Sequence, residues 1–319
     1  AYGTVETAVE AMRKGAEDFI TKPVEIDNLK LTLERVFKKR TLLLENKRLL
    51  SENEALREDL KIRYHLATAV GRSQEAVLLV EKINLYMKTR THTLVTGEPG
   101  SGQIDVAKTL HYNSPWAGNP ILFFDCFTVP EHLQEAHLFG EEGSTQPGSA
   151  KKGVPGLIER AQSGSIVISS VHRLNAACQA RLSRVIREEK TQRVGGSRFY
   201  PVHLKVITTS YVHDFEAAVN AGAFKRDFYE VLCEHEIRIP ALRERIADVP
   251  LLIAATARRV GQSLGKEIEK IDKSVIDLMS LYSFPGNLRE LEGMVETAVI
   301  RCTGTRLQAS DFSFPKSLS

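Results

Sequence analysis

The octapeptide Gly97-Glu98-Pro99-Gly100-Ser101-Gly102-Gln103-Ile104 constrains this chain more than any other segment. It lies between a short run of strand-forming residues at 93–96 and a stretch of helical spacing at 104–111. A strand that turns through glycines into a helix is the local geometry of a phosphate-binding loop. Gly97, Gly100 and Gly102 let backbone N–H groups of the loop, Ser101 included, converge on an anion. The positive end of the following helix points at the same place. Two positions depart from a working loop. Gln103 stands where a lysine is needed, with two N–H donors and no charge, and Ile104 offers no hydroxyl to magnesium. A charge-assisted hydrogen bond contributes about 1.5–3 kcal/mol, so the loss of the ammonium weakens nucleotide binding roughly tenfold to a hundredfold. Two readings stay open: a loop that binds nucleotide weakly, and a turn that keeps its fold without a ligand.

The surroundings of the loop read as an α/β unit over residues 67–240. An amphipathic helix is expected at 73–87. Further buried-type strands are expected at 121–124, 165–168 and 204–208, with helical segments between them. That alternation predicts a parallel sheet covered on both faces, a three-layer α/β sandwich. Residues 241–310 are mostly helical, at 248–260, 272–281 and 287–301, and read as a small helical lid. Residues 311–319 read as a tail.

The first 66 residues are different in kind. Residues 1–37 read as the end of another α/β unit: a helix at 4–14 stopped by Gly15, a short strand at 18–21, Lys22-Pro23, and a helix carrying Ile26, Leu29, Leu33, Val36 and Phe37. These elements cannot close a core alone. With no initiating Met, the chain is expected to begin inside a longer protein. Residues 38–66 are highly charged and lack Gly and Pro. Leu42, Leu49 and Leu56 recur at heptad spacing, with Asn46, Asn53 and Leu60 at the companion positions. Leu at d with Asn at a is the pattern of a parallel two-stranded coiled coil. The alternative is a solvated linker helix whose leucines pack on their own domain.

Composition excludes several classes. With 42% apolar and 26% charged residues the chain is an ordinary globular sequence, not a disordered one. The longest mostly apolar stretch, 249–257, is far short of the roughly twenty residues of a membrane helix. The start has no apolar signal-peptide core. Cys126, Cys178, Cys233 and Cys302 are far apart, which suits a reducing cytoplasm better than a disulfide scaffold or a zinc site. His111, His132, His137 and His172 lack metal-ligand spacing. Arg181, Arg184, Arg187 and Arg193 are interrupted by Glu188 and Glu189 and read as helix surface, not as a DNA groove. A net charge of +3 adds no argument for nucleic acid.

Four further stretches carry a family resemblance: HLQEAHLFG at 132–140, RVGG at 193–196, PALRERIADVPLL at 240–252 and FPGNLRELE at 284–292. In this order and spacing the sequence resembles the enhancer-binding response regulators that activate the sigma-54 form of RNA polymerase. Residues 1–37 resemble the end of a receiver domain, with Phe19 and Lys22 at its switch positions. Residues 67–310 resemble the AAA+ ATPase module. The resemblance implies ATP or ADP as ligand, assembly of the chain with itself as a coiled-coil dimer or higher AAA+ oligomer, and sigma-54 polymerase or an active relative as partner. It also implies DNA binding only through a domain beyond Ser319. No membrane partner is implied.

Most of the family's catalytic positions are altered. The strand GSIVISS at 164–170 ends in Ser169 and Ser170 where the family carries Asp-Glu. Loss of a general base costs roughly 10²–10⁴ in rate. The sensor Asn is Ser210. The two trans-acting arginines correspond to Lys225, with Arg226 one residue late, and to Val231. An arginine finger contributes roughly 10³–10⁵, and Lys lacks its planar fork. Of the nucleotide-facing set only the sensor-two arginine remains, as Arg289. The polymerase-contacting loop reads GSTQPGSA at 143–150, with Gln146 and Pro147 in place of its aromatic tip.

Two functions follow from these residues: a non-catalytic AAA+ regulator that needs no cofactor and binds nucleotide weakly at most, and a slow ATPase with unusual catalytic residues. The heptad pattern generates its own test. Leu49→Asp places a charge in the seam, so sedimentation velocity is expected to show a shift toward monomer. An unchanged mass would favour the linker helix.

Overall fold

The computed structural model describes residues 10–20, 23–63, 71–143, 153–212 and 215–313. Its contacts divide the chain into two units, 1–60 and 61–319.

One helix runs without interruption through Ile26–Arg63. It crosses the boundary expected at residue 37, because neither Gly nor Pro interrupts 26–63. Gly15 adopts a left-handed φ of 97° and ends the helical residues 10–13, as expected. The strand expected at 18–21 is absent at 18–20, and Thr21 lies outside the described residues. Asp18 Oδ1 instead accepts from the Phe19 N–H at 2.9 Å, a local bond that competes with strand pairing. Lys39 pairs with Glu17 at 2.8 Å. Leu42, Leu49 and Leu56 are 56%, 57% and 63% exposed, so their own unit does not cover them.

The second unit is built on strands β1 Thr93–Thr96, β2 Ile121–Asp125, β3 Gly140–Glu141, β4 Val154–Pro155, β5 Ser165–Ser169, β6 Lys190–Gln192, β7 Phe199–Pro201, β8 Lys205–Ser210 and β9 Glu236–Arg238. Five form one parallel sheet in the order β2-β5-β8-β1-β9. The expected parallel α/β fold is therefore present. β9 was not expected, since a three-residue strand is too short to show a pattern. β1 and β8 are buried throughout and β5 through Ile168, which is why none of the three shows an alternation of buried and exposed residues.

Helices pack on both faces of this sheet. Gln74–Met87 begins at Ser73, whose Oγ accepts from Ala76 N at 3.1 Å. With Gln103–Tyr112 it covers one face through Leu79, Ile83, Val106 and Leu110. Ala176–Glu188 and Arg226–Cys233 cover the other through Leu182, Val185, Phe228 and Leu232. The lid is formed by Val249–Leu264, Lys273–Ser280 and Asn287–Arg301 around Ile253, Met279, Phe284 and Val295. Arg181 and Arg193 of the basic set are held by Glu135 at 2.6 Å and Glu159 at 2.7 Å.

Lys205, at the start of β8, is fully buried. Its ammonium donates to the carbonyls of Tyr86 at 2.6 Å and Thr89 at 3.1 Å, at the end of helix Gln74–Met87. Burial pulls its pKa down from 10.5 to about 7. Between these values the unfolded chain binds more protons than the folded one, so this residue makes stability rise with pH, by up to about 1.4 kcal/mol per unit. Urea unfolding from pH 7 to 9.5 is expected to show that rise, reduced in Lys205→Met. An equal rise in the variant would contradict it.

Candidate functional site

The loop begins where β1 ends. Gly97 N–H donates to the Ser210 carbonyl at 3.2 Å, which pins the start of the loop to the last residue of β8. Ser101 N–H closes a turn on the Glu98 carbonyl at 3.1 Å. Gly100 and Gly102 have φ of 79° and 101°, in the left-handed region that favours glycine. A Cβ on Gly100 would lie 2.2 Å from the Gly286 carbonyl oxygen, so the loop touches the lid directly.

Gln103 faces inward. Its amide nitrogen donates to the carbonyls of Gly97 at 2.7 Å and Glu98 at 3.2 Å, so both donors are spent on the loop itself. Ser101 is 2% exposed and its Oγ has no partner among the described residues. Ile104 turns into the core beside Val106 and Leu110 and plays no polar part. From the lid, Arg289 N–H donates to the Gly100 carbonyl at 3.2 Å while its side chain stays exposed. Arg243 grips Glu98 with both guanidinium arms, one at 2.7 Å. Asn287 adds contacts of 3.2 Å to Glu98 and 3.1 Å to the Pro99 carbonyl.

The strand ends beside the loop hold hydroxyls where carboxylates were sought. Ser169 closes β5, and its carbonyl accepts from Cys126 N–H at 3.1 Å. Ser170 adopts a left-handed φ of 57° and starts the turn Val171–Arg173. Ser210 Oγ shares a hydrogen bond of 3.0 Å with His172 Nδ1 and accepts from Val212 N–H at 3.0 Å. The His172 ring meets Tyr211 edge to face at 4.2 Å. Burial, and then the Arg173 charge, lower the His172 pKa. His172 joins the ends of β5 and β8, a role its isolated position in the sequence did not signal. Asp125 was also missed: the register sets it opposite Ser169, and its Oδ1 accepts from Phe127 N–H at 3.0 Å.

Lys225 and Val231 lie in other contacts. Lys225 N–H donates to Gln179 Oε1 at 2.8 Å, and its side chain is exposed. Arg226 pairs with Glu216 at 3.6 Å. Val231 lines a cleft of about 530 Å³ with His92, Arg187, Glu234 and His235. Phe19 is 52% exposed. Lys22, Gln146 and Pro147 lie outside the described residues. The base of the 143–150 loop is fixed by pairing of β3 with β4 and by the Glu142 N–H bond to the Val194 carbonyl at 2.9 Å.

The cradle suits an anion in shape, with left-handed glycines, a helix start and an unpartnered buried hydroxyl. For magnesium it offers less: Ser169, Ser170 and Ile104 bring no carboxylate, and the carboxylate beside them is Asp125, in register with Ser169. No group of three or more His, Cys, Asp or Glu among the described residues is arranged to hold a metal ion.

Residues 69–238 match the family described as the Sigma-54 interaction domain. The chain belongs to it. Residues 243–316 match the AAA+ ATPase lid domain. The chain is similar to the transcriptional regulatory protein ZraR of Escherichia coli K12, with 33% identity over 304 residues. The regulatory protein AtoC of the same strain is 31% identical over 311 residues. These alignments span 95% and 98% of this chain, and in each case 66% of the relative. The crystal structure of NtrX from Brucella abortus in complex with ATP has a TM-score of 0.70 and 28% identity, covering 98% of this chain and 65% of that one. In fold and family the chain is therefore a sigma-54 interaction domain followed by an AAA+ lid, and it spans just under two thirds of the length of these relatives.

Gly100→Ala tests the contact between loop and lid. It combines a left-handed φ with a Cβ 2.2 Å from a carbonyl, so a loss of about 2 kcal/mol or more is expected. Thermal unfolding should fall by at least about 4 °C. An unchanged midpoint would show that the loop moves away from Gly286 at no cost.

Proposed function

We propose that the chain is the non-catalytic AAA+ module of a two-component transcription regulator, acting by assembly and partner binding. The observation that carries this reading is the pair Ser169 and Ser170 at the end of β5, where hydrolysis needs carboxylates. A serine hydroxyl is no base at neutral pH and brings magnesium no charge. The inward Gln103 amide supports the same reading, because an uncharged group engaged by Gly97 and Glu98 carbonyls does not neutralise β and γ phosphates. Lys225 and Val231 supply no guanidinium to a neighbour. The losses fall on binding, nucleophile activation and transition-state charge, and no single replacement repairs all three.

Assembly is assigned to the exposed Leu42, Leu49 and Leu56 seam, with Asn46 and Asn53 fixing a parallel register. ATP or ADP is at most a weak structural ligand of the 97–103 loop. Contact with sigma-54 polymerase or with an active relative passes through the rest of the AAA+ surface, and DNA is reached through a domain outside this chain. No helix among the described residues is long and apolar enough to cross a membrane.

A slow ATPase is the second reading, and Asp125 is the observation in its favour. It is a carboxylate in register with Ser169 on the neighbouring strand. Phosphate release measured over a range of protein concentrations decides between the two. No turnover above background is expected from the wild-type chain. Turnover that rises with concentration, and is abolished by Asp125→Asn or Arg226→Ala, would overturn the non-catalytic reading. The triple variant Gln103→Lys, Ser169→Asp, Ser170→Glu serves as the comparison.

A further inference from the structure

The short turn Leu242–Asp248 holds two segments that are far apart in the sequence. At its first end, Leu242 N–H donates to Asn287 Oδ1 at 2.8 Å and Arg243 grips Glu98 of the phosphate loop, one arm at 2.7 Å. Asn287 binds the same loop through Glu98 and the Pro99 carbonyl. At its other end, Asp248 is 1% exposed and receives three donors from the segment that enters the α/β core. These are Arg72 N–H at 2.6 Å, Ser73 N–H at 2.7 Å and Ser73 Oγ at 2.6 Å. Ser73 Oγ also accepts from Ala76 N–H at 3.1 Å, so the Asp248 contact and the start of helix Gln74–Met87 share one hydroxyl. Gly71 has a φ of 100°, and a Cβ there would lie 2.2 Å from the Asp248 carboxyl carbon.

We infer that Leu242–Asp248 is a two-ended clasp that couples the entry segment 71–73 to the phosphate loop, so that release at one end loosens the other. A buried carboxylate deprived of its donors is costly, so the Asp248 end either keeps all three bonds or rearranges. The turn between the ends is kinked at Arg245, with φ −132° and ψ 45°, and that residue is 3% exposed. Close packing leaves such a turn few intermediate positions. The clasp works without nucleotide or hydrolysis and gives a non-catalytic module a route between its loop and the chain that precedes Gly71. Coupling of this kind is reciprocal.

Hydrogen exchange on the intact chain, read at single amides, tests the clasp from both ends. Arg243→Gln breaks only the loop end, at an exposed side chain. It is expected to speed exchange at Arg72 and Ser73 by about tenfold, within the usual range of coupling. Asp248→Asn should in turn speed exchange at Ser101 and Arg289. Arg259→Gln, which breaks an exposed lid pair with Glu292, should change neither set. The inference is overturned if Arg243→Gln speeds Ser101 and Arg289 but leaves Arg72 and Ser73 at the wild-type rate. Should Asp248→Asn fail to fold, Ser73→Ala takes its place and the Arg243→Gln arm still decides.

Discussion

A loop that leaves a buried strand through Gly97 must satisfy its own polar groups, and much of the surrounding structure serves that requirement. The Ser210 carbonyl takes the Gly97 N–H, Gln103 takes the Gly97 and Glu98 carbonyls, and the lid takes the carbonyls of Pro99 and Gly100. Glu98 is held from the lid by Arg243 and Asn287. The carbonyls of Gly97, Glu98, Pro99 and Gly100 are therefore met within the protein, while the buried Ser101 hydroxyl has no partner among the described residues. In a loop with lysine the inner position carries a charge that calls for phosphate. Here the same position is filled by an amide that the loop itself satisfies.

The same exchange of charge for internal contact occurs at the strand ends. Ser169 and Ser170 remove two carboxylates, and His172 with Ser210 and Tyr211 supplies a hydrogen bond and a ring contact between β5 and β8. The imidazole is held by the serine at Nδ1 while its Nε2 is buried without a partner among the described residues, whereas a pair of carboxylates with no metal would repel. On the proposed reading, Gln103, Ser169 and Ser170 change together: each stands where a charged group is expected, and each is neutral. Asp125 is the exception, and it stays at the edge strand where solvent is near.

Much of this fold was legible in the sequence because buried parallel strands and glycine turns leave strong local marks. The strand at 93–96, the helix at 287–301 and the loop between β1 and its helix fell where expected. β9 was missed because three residues carry no period. The strand expected at 18–21 is absent at 18–20, where Asp18 satisfies the next N–H locally and no neighbouring segment among the described residues offers a ladder. Within the site, the glycine loop between β1 and its helix was readable from its residues alone. The roles of His172, Asp125 and Asp248 were not, since each depends on which strand or turn lies beside it, and only the sheet order and the lid position supply that.

The central claim is that the site keeps a cradle for an anion and has lost the means to use a metal-bound nucleotide. Its most direct test is the binding of a fluorescent ATP analogue measured with and without magnesium. Protein oxygens that help to hold the ion make magnesium tighten nucleotide binding. The account predicts no gain in affinity on adding magnesium, whether the analogue binds weakly or not at all. A magnesium-dependent tightening of about tenfold or more, equivalent to about 1.4 kcal/mol, would contradict it.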